Sequence, residues 1–315
     1  LGFLIPVVII YMRENMNTTV RGRKDLKNLN VPFLGEIPFS VSSKNRPTLE
    51  QRIKFWKKPK EVRMIVVKAG KRDIVNEAFR VLRTNFEFTI GTHPEQNVIV
   101  FTSFNPGSGK THLASNMAMS LAIKKKKVLL IDGDLRHGST SMLIHSPGEG
   151  LSDYLNGRIS DIHDILYKGE ENGLVKNFDM IPIGTIPPNP TELLSTPLLE
   201  QMIQTMRQEY DYVFIDCPPI EVVADTPIYE QFADRTIFVV RSGLMERSML
   251  PEIDALYKEK KFKNMTLILN GTKTRGGRYG SHYGYGYGYG YGYGYNYNKE
   301  KNGGGKILNE WIIGK

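Results

Sequence analysis

The sequence predicts an α/β domain with a doubly wound, mostly parallel sheet, and two observations lead to that fold class. Short apolar runs alternate along the chain with stretches whose apolar residues recur at helical spacing, which is typical of a parallel sheet covered by helices. A glycine-rich loop at residues 103–111 lies between one apolar run and a helical stretch. Because that is the context of a phosphate-binding loop, we expect a P-loop NTPase fold.

The predicted strands are six apolar runs, at residues 98–103, 128–132, 180–183, 212–216, 236–240 and 266–269. Two helices are predicted beside them, over residues 73–88 and 112–123. In the first of these, apolar side chains from Ile74 to Phe86 recur every three or four residues and therefore share one face. We expect the whole domain to span residues 71–274.

Composition indicates how large the domain can be and in which cellular compartment it is expected. A chain of 315 residues that is 40% hydrophobic can bury the core of one domain of about 200 residues and leave segments at both ends. Cys217 is the only cysteine, so an internal disulfide is impossible and a reducing compartment is expected. The formal net charge of +9 suits nucleic acid, an anionic membrane surface or an acidic polymer, and it does not choose among them.

The first residues resemble the end of a membrane-spanning helix. Residues 1–11 are uncharged and apolar, and Arg13, Arg21 and Arg23 follow them, which is typical of the cytoplasmic side of a span. Because a full span takes about 20 residues, a buried core element is the alternative interpretation. We interpret residues 1–12 as the end of a truncated transmembrane helix. Residues 13–70, which are basic and broken by prolines, are interpreted as a membrane-proximal linker.

The loop at residues 103–111 carries the features of a nucleotide-phosphate site. Its glycines permit close approach of backbone amides to phosphate, and the amino end of a helix follows directly. Lys110 is expected to reach the outer phosphates of a nucleotide, and Thr111 is expected to ligate Mg²⁺. Phe104 stands where the general pattern has its first glycine. The predicted nucleotide-binding residues are Gly107, Ser108, Gly109, Lys110, Thr111 and His112.

Three aspartates follow two of the apolar runs. Asp132 and Asp134 come at the end of one run, and Asp216 ends another. Because ligands of doubly wound sheets bind at the carboxyl ends of the strands, we expect these acids to converge on the metal and the phosphates. An isolated aspartate after a strand is more often a loop acid or a helix cap. Together with the loop, the three acids predict nucleotide hydrolysis or phosphoryl transfer.

The last 41 residues, 275–315, predict a flexible tail rather than a packed element. Most of the tyrosines in this tail alternate with glycine, a composition that cannot form a core. Alternatives are a sticky linker, an aggregation-prone segment or a surface that stacks on nucleic-acid bases. No nucleic acid is expected as a partner, because basic residues do not interleave with the tyrosines. The tyrosines are Tyr279, Tyr283, Tyr285, Tyr287, Tyr289, Tyr291, Tyr293, Tyr295 and Tyr297.

Several motifs resemble those of the bacterial tyrosine kinase family. The D-x-D-x-R pattern of Asp132, Asp134 and Arg136 is similar to the extra Walker motif of that family. Residues 102–111 match its loop T-S-x-x-P-G-x-G-K-[ST], so Phe104 is a family feature. Residues 31–38, 150–155 and 184–194 extend the similarity across nearly the whole chain and resemble the cytoplasmic part of polysaccharide co-polymerases.

The resemblance implies a tyrosine autokinase at the inner membrane, with this part of the chain in the cytoplasm and the tail tyrosines as phospho-acceptors. Lys110, Asp132 and Asp134 are then the catalytic residues, and Asp132 activates the acceptor hydroxyl. Thr111, Asp134 and Asp216 are then the metal-binding residues. The choice of aspartate as general base stays open. The implied cofactors are ATP and Mg²⁺.

The resemblance also implies partners. They are further copies of the chain in a ring-like homo-oligomer, the machinery of capsule or exopolysaccharide synthesis and export, and a tyrosine phosphatase. Glu77, Arg80 and Arg83 form an E-x-x-R-x-x-R pattern similar to the subunit-contact motif of the family. From the residues alone, these positions share one helix face, and a solvated face with a weak Glu77 to Arg80 pair is the alternative.

The main competing hypothesis is an ATP-driven switch of the chromosome-partitioning or septum-positioning type, which hydrolyses nucleotide without a protein acceptor. It would use the same loop and the same acids. Such ATPases usually carry a second lysine early in the loop, where this chain has Asn105 and Pro106. The kinase family therefore fits the loop better.

Overall fold

The computed structural model describes residues 18–39, 65–91, 93–222 and 225–273. The predicted end of a transmembrane helix, much of the predicted linker and all nine tail tyrosines lie outside these ranges. Among the described residues, no helix has the length and apolar character needed to cross a bilayer.

A seven-stranded sheet forms the centre of the domain, and every neighbouring pair of strands in it is parallel. The strands are β1 (Phe33–Pro38), β2 (Val98–Thr102), β3 (Val128–Asp132), β4 (Phe178–Ile181), β5 (Tyr212–Asp216), β6 (Arg235–Arg241) and β7 (Thr266–Thr272). Their order is β1-β7-β6-β2-β5-β3-β4. The prediction of a doubly wound, mostly parallel sheet is confirmed.

Helices cover both faces of the sheet. They are α1 (Ile74–Ile90), α2 (Lys110–Ile123), α3 (Leu151–Leu155), α4 (Pro190–Leu194), α5 (Pro197–Glu209), α6 (Thr226–Glu230) and α7 (Leu250–Lys258). Short 3₁₀ turns occur at Arg23–Leu26, Ser141–Ile144, Ile162–Ile165, Glu170–Asn172 and Arg247–Met249. Because both faces are covered, every residue of β2, β3 and β5 is buried, which explains their continuous rather than alternating apolar sequence.

The core consists of a layer on each face of the sheet and a third cluster near β1. Helices α1 and α2 supply one layer, in which Phe79, Leu82 and Leu113 are fully or almost fully buried. Helices α3 and α5 supply the layer on the opposite face, where Leu151 and Met202 are fully buried. These layers fix α2, and with it the loop that precedes it, against the carboxyl edge of the sheet.

Strand β1 corrects the prediction that residues 13–70 form an irregular linker. Phe33–Pro38 pairs in parallel with β7 at the edge of the sheet, and Leu34 and Ile37 are buried there. Farther upstream, Thr19 forms a bridge with Glu246. Pro32 directly precedes this edge strand and Pro38 ends it, at an edge where one side of the backbone needs no partner strand.

Candidate nucleotide site

The glycine-rich loop connects β2 to α2, and its shape depends on glycine at two positions. Gly107 and Gly109 have positive φ angles of 74° and 89°. A Cβ atom on Gly109 would lie 2.1 Å from Nδ2 of Asn270, so a side chain there is excluded. That Nδ2 donates a hydrogen bond to the carbonyl oxygen of Ser108 at 2.9 Å. The loop therefore rests on β7, with the amino end of α2 facing the site.

Phe104 explains why this loop departs from the general P-loop pattern. Its ring is buried and packs edge-on against Phe238 of β6, with 5.3 Å between the ring centroids. The hydroxyls of Ser103 and Ser108 both donate to the carbonyl oxygen of Asn105, at 2.9 and 2.7 Å. An aromatic anchor and two short internal hydrogen bonds thus hold the loop closed.

Lys110 is the first residue of α2 and lies almost completely inside the protein, with 9% of its surface exposed. Burial lowers the pKa of Lys110, while the negative charges of Asp216 and Asp134 act in the opposite direction. A buried cation beside a helix amino terminus provides charge for anions such as the outer phosphates of a nucleotide.

Asp216, at the end of β5, is the acid closest to the loop. Its Oδ2 accepts hydrogen bonds from the hydroxyls of Thr111 and Thr140, each at 2.6 Å. Its Oδ1 is buried and has no hydrogen-bond partner among the described residues. Burial raises the pKa of Asp216. A buried carboxylate oxygen without a donor is costly unless a cation or a further donor occupies the site.

Asp132 lies next to Asp216, because the two residues are paired in the register of β3 and β5. It is fully buried, and its Oδ2 accepts hydrogen bonds from the backbone amide and the hydroxyl of Ser141, both at 2.7 Å. Burial, together with the charge of Asp216, raises the pKa of Asp132 to about 7. The aspartate expected to activate the acceptor therefore lies beneath residue Ser141 rather than on the surface.

Asp134 is more accessible than the other two acids. Its side chain is 15% exposed, and Nδ1 of His137 lies 3.1 Å from its Oδ2. The backbone amide of Arg136 donates to its Oδ1 at 3.2 Å. Asp134 is thus the acid of this group that solvent or an incoming side chain reaches most readily.

The residues at this edge fit a divalent cation beside a bound phosphate. Hydroxyl and carboxylate oxygens are the ligands that Mg²⁺ prefers, and Oδ1 of Asp216 is a buried carboxylate oxygen that no donor among the described residues occupies. The described part of the chain contains no group of three or more His, Cys, Asp and Glu side chains that could hold a metal by themselves. A cation here would therefore depend on phosphate oxygens as well as on Thr111 and Asp216.

Sequence reasoning missed a polar network that joins three loops of the site. Nη2 of Arg136 lies 3.1 Å from Oγ1 of Thr191 and 3.3 Å from Oδ2 of the buried Asp225. The hydroxyl of Thr191 donates to Oδ1 of Asp225 at 2.8 Å. The network connects the D-x-D-x-R segment with α4 and with the start of α6. No spacing rule pairs these residues, since 89 positions separate Arg136 from Asp225.

His112 and Cys217 both lie in packed surroundings next to the site. The ring of His112 packs edge-on against Phe79 of α1, with 5.9 Å between centroids, so this side chain faces α1. Cys217 is buried, and burial raises its pKa, which agrees with a small core thiol.

The E-x-x-R-x-x-R residues of α1 do not all face solvent. Glu77 and Arg80 form a surface ion pair, and Nη2 of Arg80 donates to the carbonyl oxygen of Lys71 at 2.5 Å. Arg83 is only 14% exposed and donates from Nη1 to the carbonyl oxygen of Ser120 in α2 at 2.8 Å. The structure therefore leaves two residues of the motif on the surface and ties the third to its own domain.

Comparison with known proteins adds independent findings. A family model described as an AAA domain matches residues 96–242. The tyrosine-protein kinase wzc of Salmonella typhimurium is 34% identical over 247 residues, which are 76% of this chain and 32% of that protein. The tyrosine-protein kinase CpsD of Streptococcus agalactiae is 32% identical over 208 residues, which are 65% of this chain and 87% of that protein.

Among solved structures, the kinase domain of the Escherichia coli tyrosine kinase ETK superposes with a TM-score of 0.69 at 30% identity. The match covers 86% of this chain and 100% of that chain. The chain spans about a third of the length of the first curated relatives that it matches.

Proposed function

The chain belongs to the bacterial tyrosine kinase family, and from this we propose that it transfers a phosphoryl group from ATP to tyrosines of its own C-terminal tail. The surroundings of Asp216 carry the proposal. One oxygen of this buried carboxylate accepts a hydrogen bond from Thr111 of the phosphate loop, and the other has no hydrogen-bond donor in the part of the chain that the structure describes. Such an oxygen beside a P-loop suits a metal-nucleotide complex.

We assign the phosphate end of the nucleotide to Lys110 and to the amides of residues 107–112. Phosphoryl transfer needs charge neutralisation and positioning more than covalent chemistry, and the buried Lys110 provides both. Thr111, Asp134 and Asp216 would hold Mg²⁺, which supplies further positive charge to the phosphate oxygens when bound. The glycines keep the amides close to the phosphates because they leave no side chain in the way.

Asp132 is proposed to orient and deprotonate the acceptor tyrosine. A pKa of about 7 suits a general base near neutral pH. Because Asp132 is fully buried and its Oδ2 accepts two hydrogen bonds from Ser141, an acceptor reaches this carboxylate only if the residues that cover it move. Asp134 is the alternative base, because it is exposed without such a movement.

Transfer between subunits is the proposed route to the tail. All strands are parallel, so β7 ends at the same edge of the sheet as the phosphate loop, and residues 275–315 follow it in the sequence. A tail of that length reaches beyond one domain, and assembly would raise its concentration near a neighbouring site. We place the kinase at the inner membrane, in a homo-oligomer that regulates capsule or exopolysaccharide synthesis and export and is reset by a phosphatase.

Incubation with γ-labelled ATP and Mg²⁺, followed by proteolysis, tests the proposal. We expect the label on peptides that contain residues 279–297, stable to alkali as tyrosine phosphate is. Release of all label as free phosphate, with none on tyrosine, would contradict the autokinase and favour the switch-type ATPase. Mixing a tail-truncated active chain with full-length Lys110→Ala protein tests transfer between subunits, because label on the inactive chain requires it.

A further inference from the structure

Arg241, the last residue of β6, lies beside the phosphate loop and has no role in the proposed reaction. It is paired in register with Asn270, the residue that supports the loop. The side chain is half-buried, and among the described residues its guanidinium takes part in no hydrogen bond or ion pair. Burial lowers the pKa of Arg241. A half-buried guanidinium without an acceptor loses hydration and gains no hydrogen bond in return.

Two neighbours fix the orientation of this guanidinium. The ring of Phe39, directly after β1, lies with its centroid 5.5 Å from Cζ of Arg241. A Cβ on Gly271 would lie 2.7, 2.8 and 2.9 Å from Cζ, Nη1 and Nε of Arg241, so the backbone of Gly271 meets the guanidinium face-on. The N–H donors of a guanidinium point outward in its plane, so these contacts leave them available.

The N–H donors of Arg241 lie close to the phosphate loop, on the side of the loop away from Asp216. Nη1 of Arg241 is 3.9 Å from the position that a Cβ on Gly109 would take. In the sheet, β6 lies on one side of β2, whereas β5 with Asp216 lies on the other. A nucleotide whose outer phosphates face Lys110 and Asp216 would therefore direct its other end toward Arg241.

We infer that Arg241 recognises the nucleoside end of the bound nucleotide by donating hydrogen bonds to acceptor atoms of a purine base. This inference rests on the proposed function, because it needs ATP in the phosphate loop. An in-plane N–H donor held in a fixed direction suits an acceptor ring nitrogen of adenine, and the rigidity of the guanidinium makes it selective in a way that a lysine is not. Phe39 is a positioning residue that holds the guanidinium plane.

Calorimetric titration of the full chain tests the inference with two ligands, Mg-ATP and Mg-tripolyphosphate, which lacks a nucleoside. Arg241→Met should weaken ATP binding roughly 10-fold and change tripolyphosphate binding less than about twofold, because only the nucleoside contact is lost. Arg241→Lys should weaken ATP binding nearly as much, since it keeps the charge and loses the planar donors. Phe39→Leu should weaken ATP binding in the parent chain and have no further effect in Arg241→Met.

Arg235→Met is the matched control. Arg235 begins the same strand, is also partly buried and donates to Gln96 at 2.8 Å, at the opposite edge of the sheet. The Arg235→Met substitution should leave the affinities for Mg-ATP and Mg-tripolyphosphate unchanged.

Unchanged ATP affinity in Arg241→Met would overturn the inference and leave the kinase proposal intact. Equal weakening of ATP and tripolyphosphate, rescued by lysine, would make Arg241 a phosphate contact and overturn the nucleoside assignment. If the parent chain bound neither ligand, both the proposed function and the inference would fail.

Discussion

At the scale of single residues, the candidate site consists of buried ionisable side chains. Lys110 is 9% exposed, Asp216 is 3% exposed and Asp132 is fully buried. Thr111 and Thr140 both donate to Oδ2 of Asp216, and among residues 18–39, 65–91, 93–222 and 225–273 no group donates to its Oδ1. Proteins tolerate such unsatisfied groups mostly at functional sites, where a ligand completes the interactions.

Part of this arrangement could be predicted from the sequence. Parallel strands place Asp132 and Asp216 at one edge, and the loop pattern places Thr111 beside them. The partners Thr140 and Ser141 could not be predicted, because they follow no motif and reach the acids only through the fold of the segment after β3. The burial of Arg83 against Ser120 was equally invisible, since helical periodicity does not show which neighbour a long side chain meets.

Asp132→Asn should slow phosphoryl transfer by about 100-fold or more and change ATP affinity only a few-fold. The amide keeps the size of the side chain and an acceptor for Ser141, but it cannot take a proton from tyrosine. Single-turnover kinetics and nucleotide titration measure the two effects separately. Asp179→Asn, which neutralises another buried acid in β4, should leave transfer unchanged. Loss of affinity as large as the loss of rate would make Asp132 chiefly a metal-site residue.

At the scale of secondary structure, α1 joins the core to the surface that carries the proposed subunit-contact motif. Its apolar face packs on the sheet through Phe79, Leu82 and Phe86. Its amino end is capped by Asp73, whose side chain accepts a hydrogen bond from the amide of Asn76 at 2.9 Å. Predicted as residues 73–88, the helix runs from Ile74 to Ile90.

Asp73→Ala should lower the free energy of unfolding by about 1 kcal/mol at neutral pH, since it removes the helix cap and its surface ion pair with Lys71. Burial opposes ionisation of Asp73, but hydrogen bonds from Asn76 and the charge of Lys71 outweigh it and lower the pKa to about 2. A lowered pKa stabilises the fold above the ordinary value of 3.8, and that contribution is lost as pH falls toward 2.

Urea unfolding of the parent and of Asp73→Ala at neutral pH and at about pH 3 measures this difference. The difference in free energy of unfolding between the two proteins should be smaller at the acidic pH. Asp73→Asn keeps the capping acceptor and should lose only the part that depends on charge. If the difference in free energy of unfolding between the parent and Asp73→Ala did not change with pH, the assigned cause of the pKa shift would be contradicted.

Arg80→Glu should reduce the oligomer mass and lower autophosphorylation without changing ATP affinity. The Arg80 side chain is 34% exposed and its contacts are local, with Glu77 and the carbonyl oxygen of Lys71. Reversing Arg83 would instead break its hydrogen bonds to Ser120 and disturb the packing of α1 on α2. Light scattering and ATP titration are the measurements. Arg72→Glu makes the same charge change just before the helix and should behave like the parent chain. If the parent chain, Arg80→Glu and Arg72→Glu had the same oligomer mass, the assignment of the subunit-contact motif would be wrong.

At the scale of the whole molecule, the sequence predicted the sheet well and its edge poorly. The bounds of β3 and β5 were predicted at residues 128–132 and 212–216, because each of these fully buried strands is a continuous apolar run that ends at an aspartate. Strand β1 was missed because a short edge strand bounded by Pro32 and Pro38 has the composition of a linker. This segment becomes a strand because it pairs with β7, which lies 230 or more positions away in the sequence.

Phosphorylation of several tail tyrosines should weaken assembly. Each phosphate adds about −1.5 to −2 charges, enough together to reverse the sign of a basic tail and make neighbouring tails repel. Because this repulsion acts over distances that salt screens, added salt should partly restore the mass. Light scattering of unmodified and phosphorylated chain at two ionic strengths checks this. A mass that is the same before and after phosphorylation would contradict such a cycle.

Peptide mass spectrometry of the purified chain after incubation with ATP and Mg²⁺ tests the central claim most directly. The parent chain should gain phosphate on the tyrosines between Tyr279 and Tyr297. The Lys110→Ala chain should gain no phosphate, because the outer phosphates of bound ATP then lack the positioned ammonium group of Lys110. Lys176→Ala, which removes an exposed lysine far from the loop in sequence, should resemble the parent. Phosphotyrosine in the Lys110→Ala tail at parental levels, or none in the parent chain, would contradict the account.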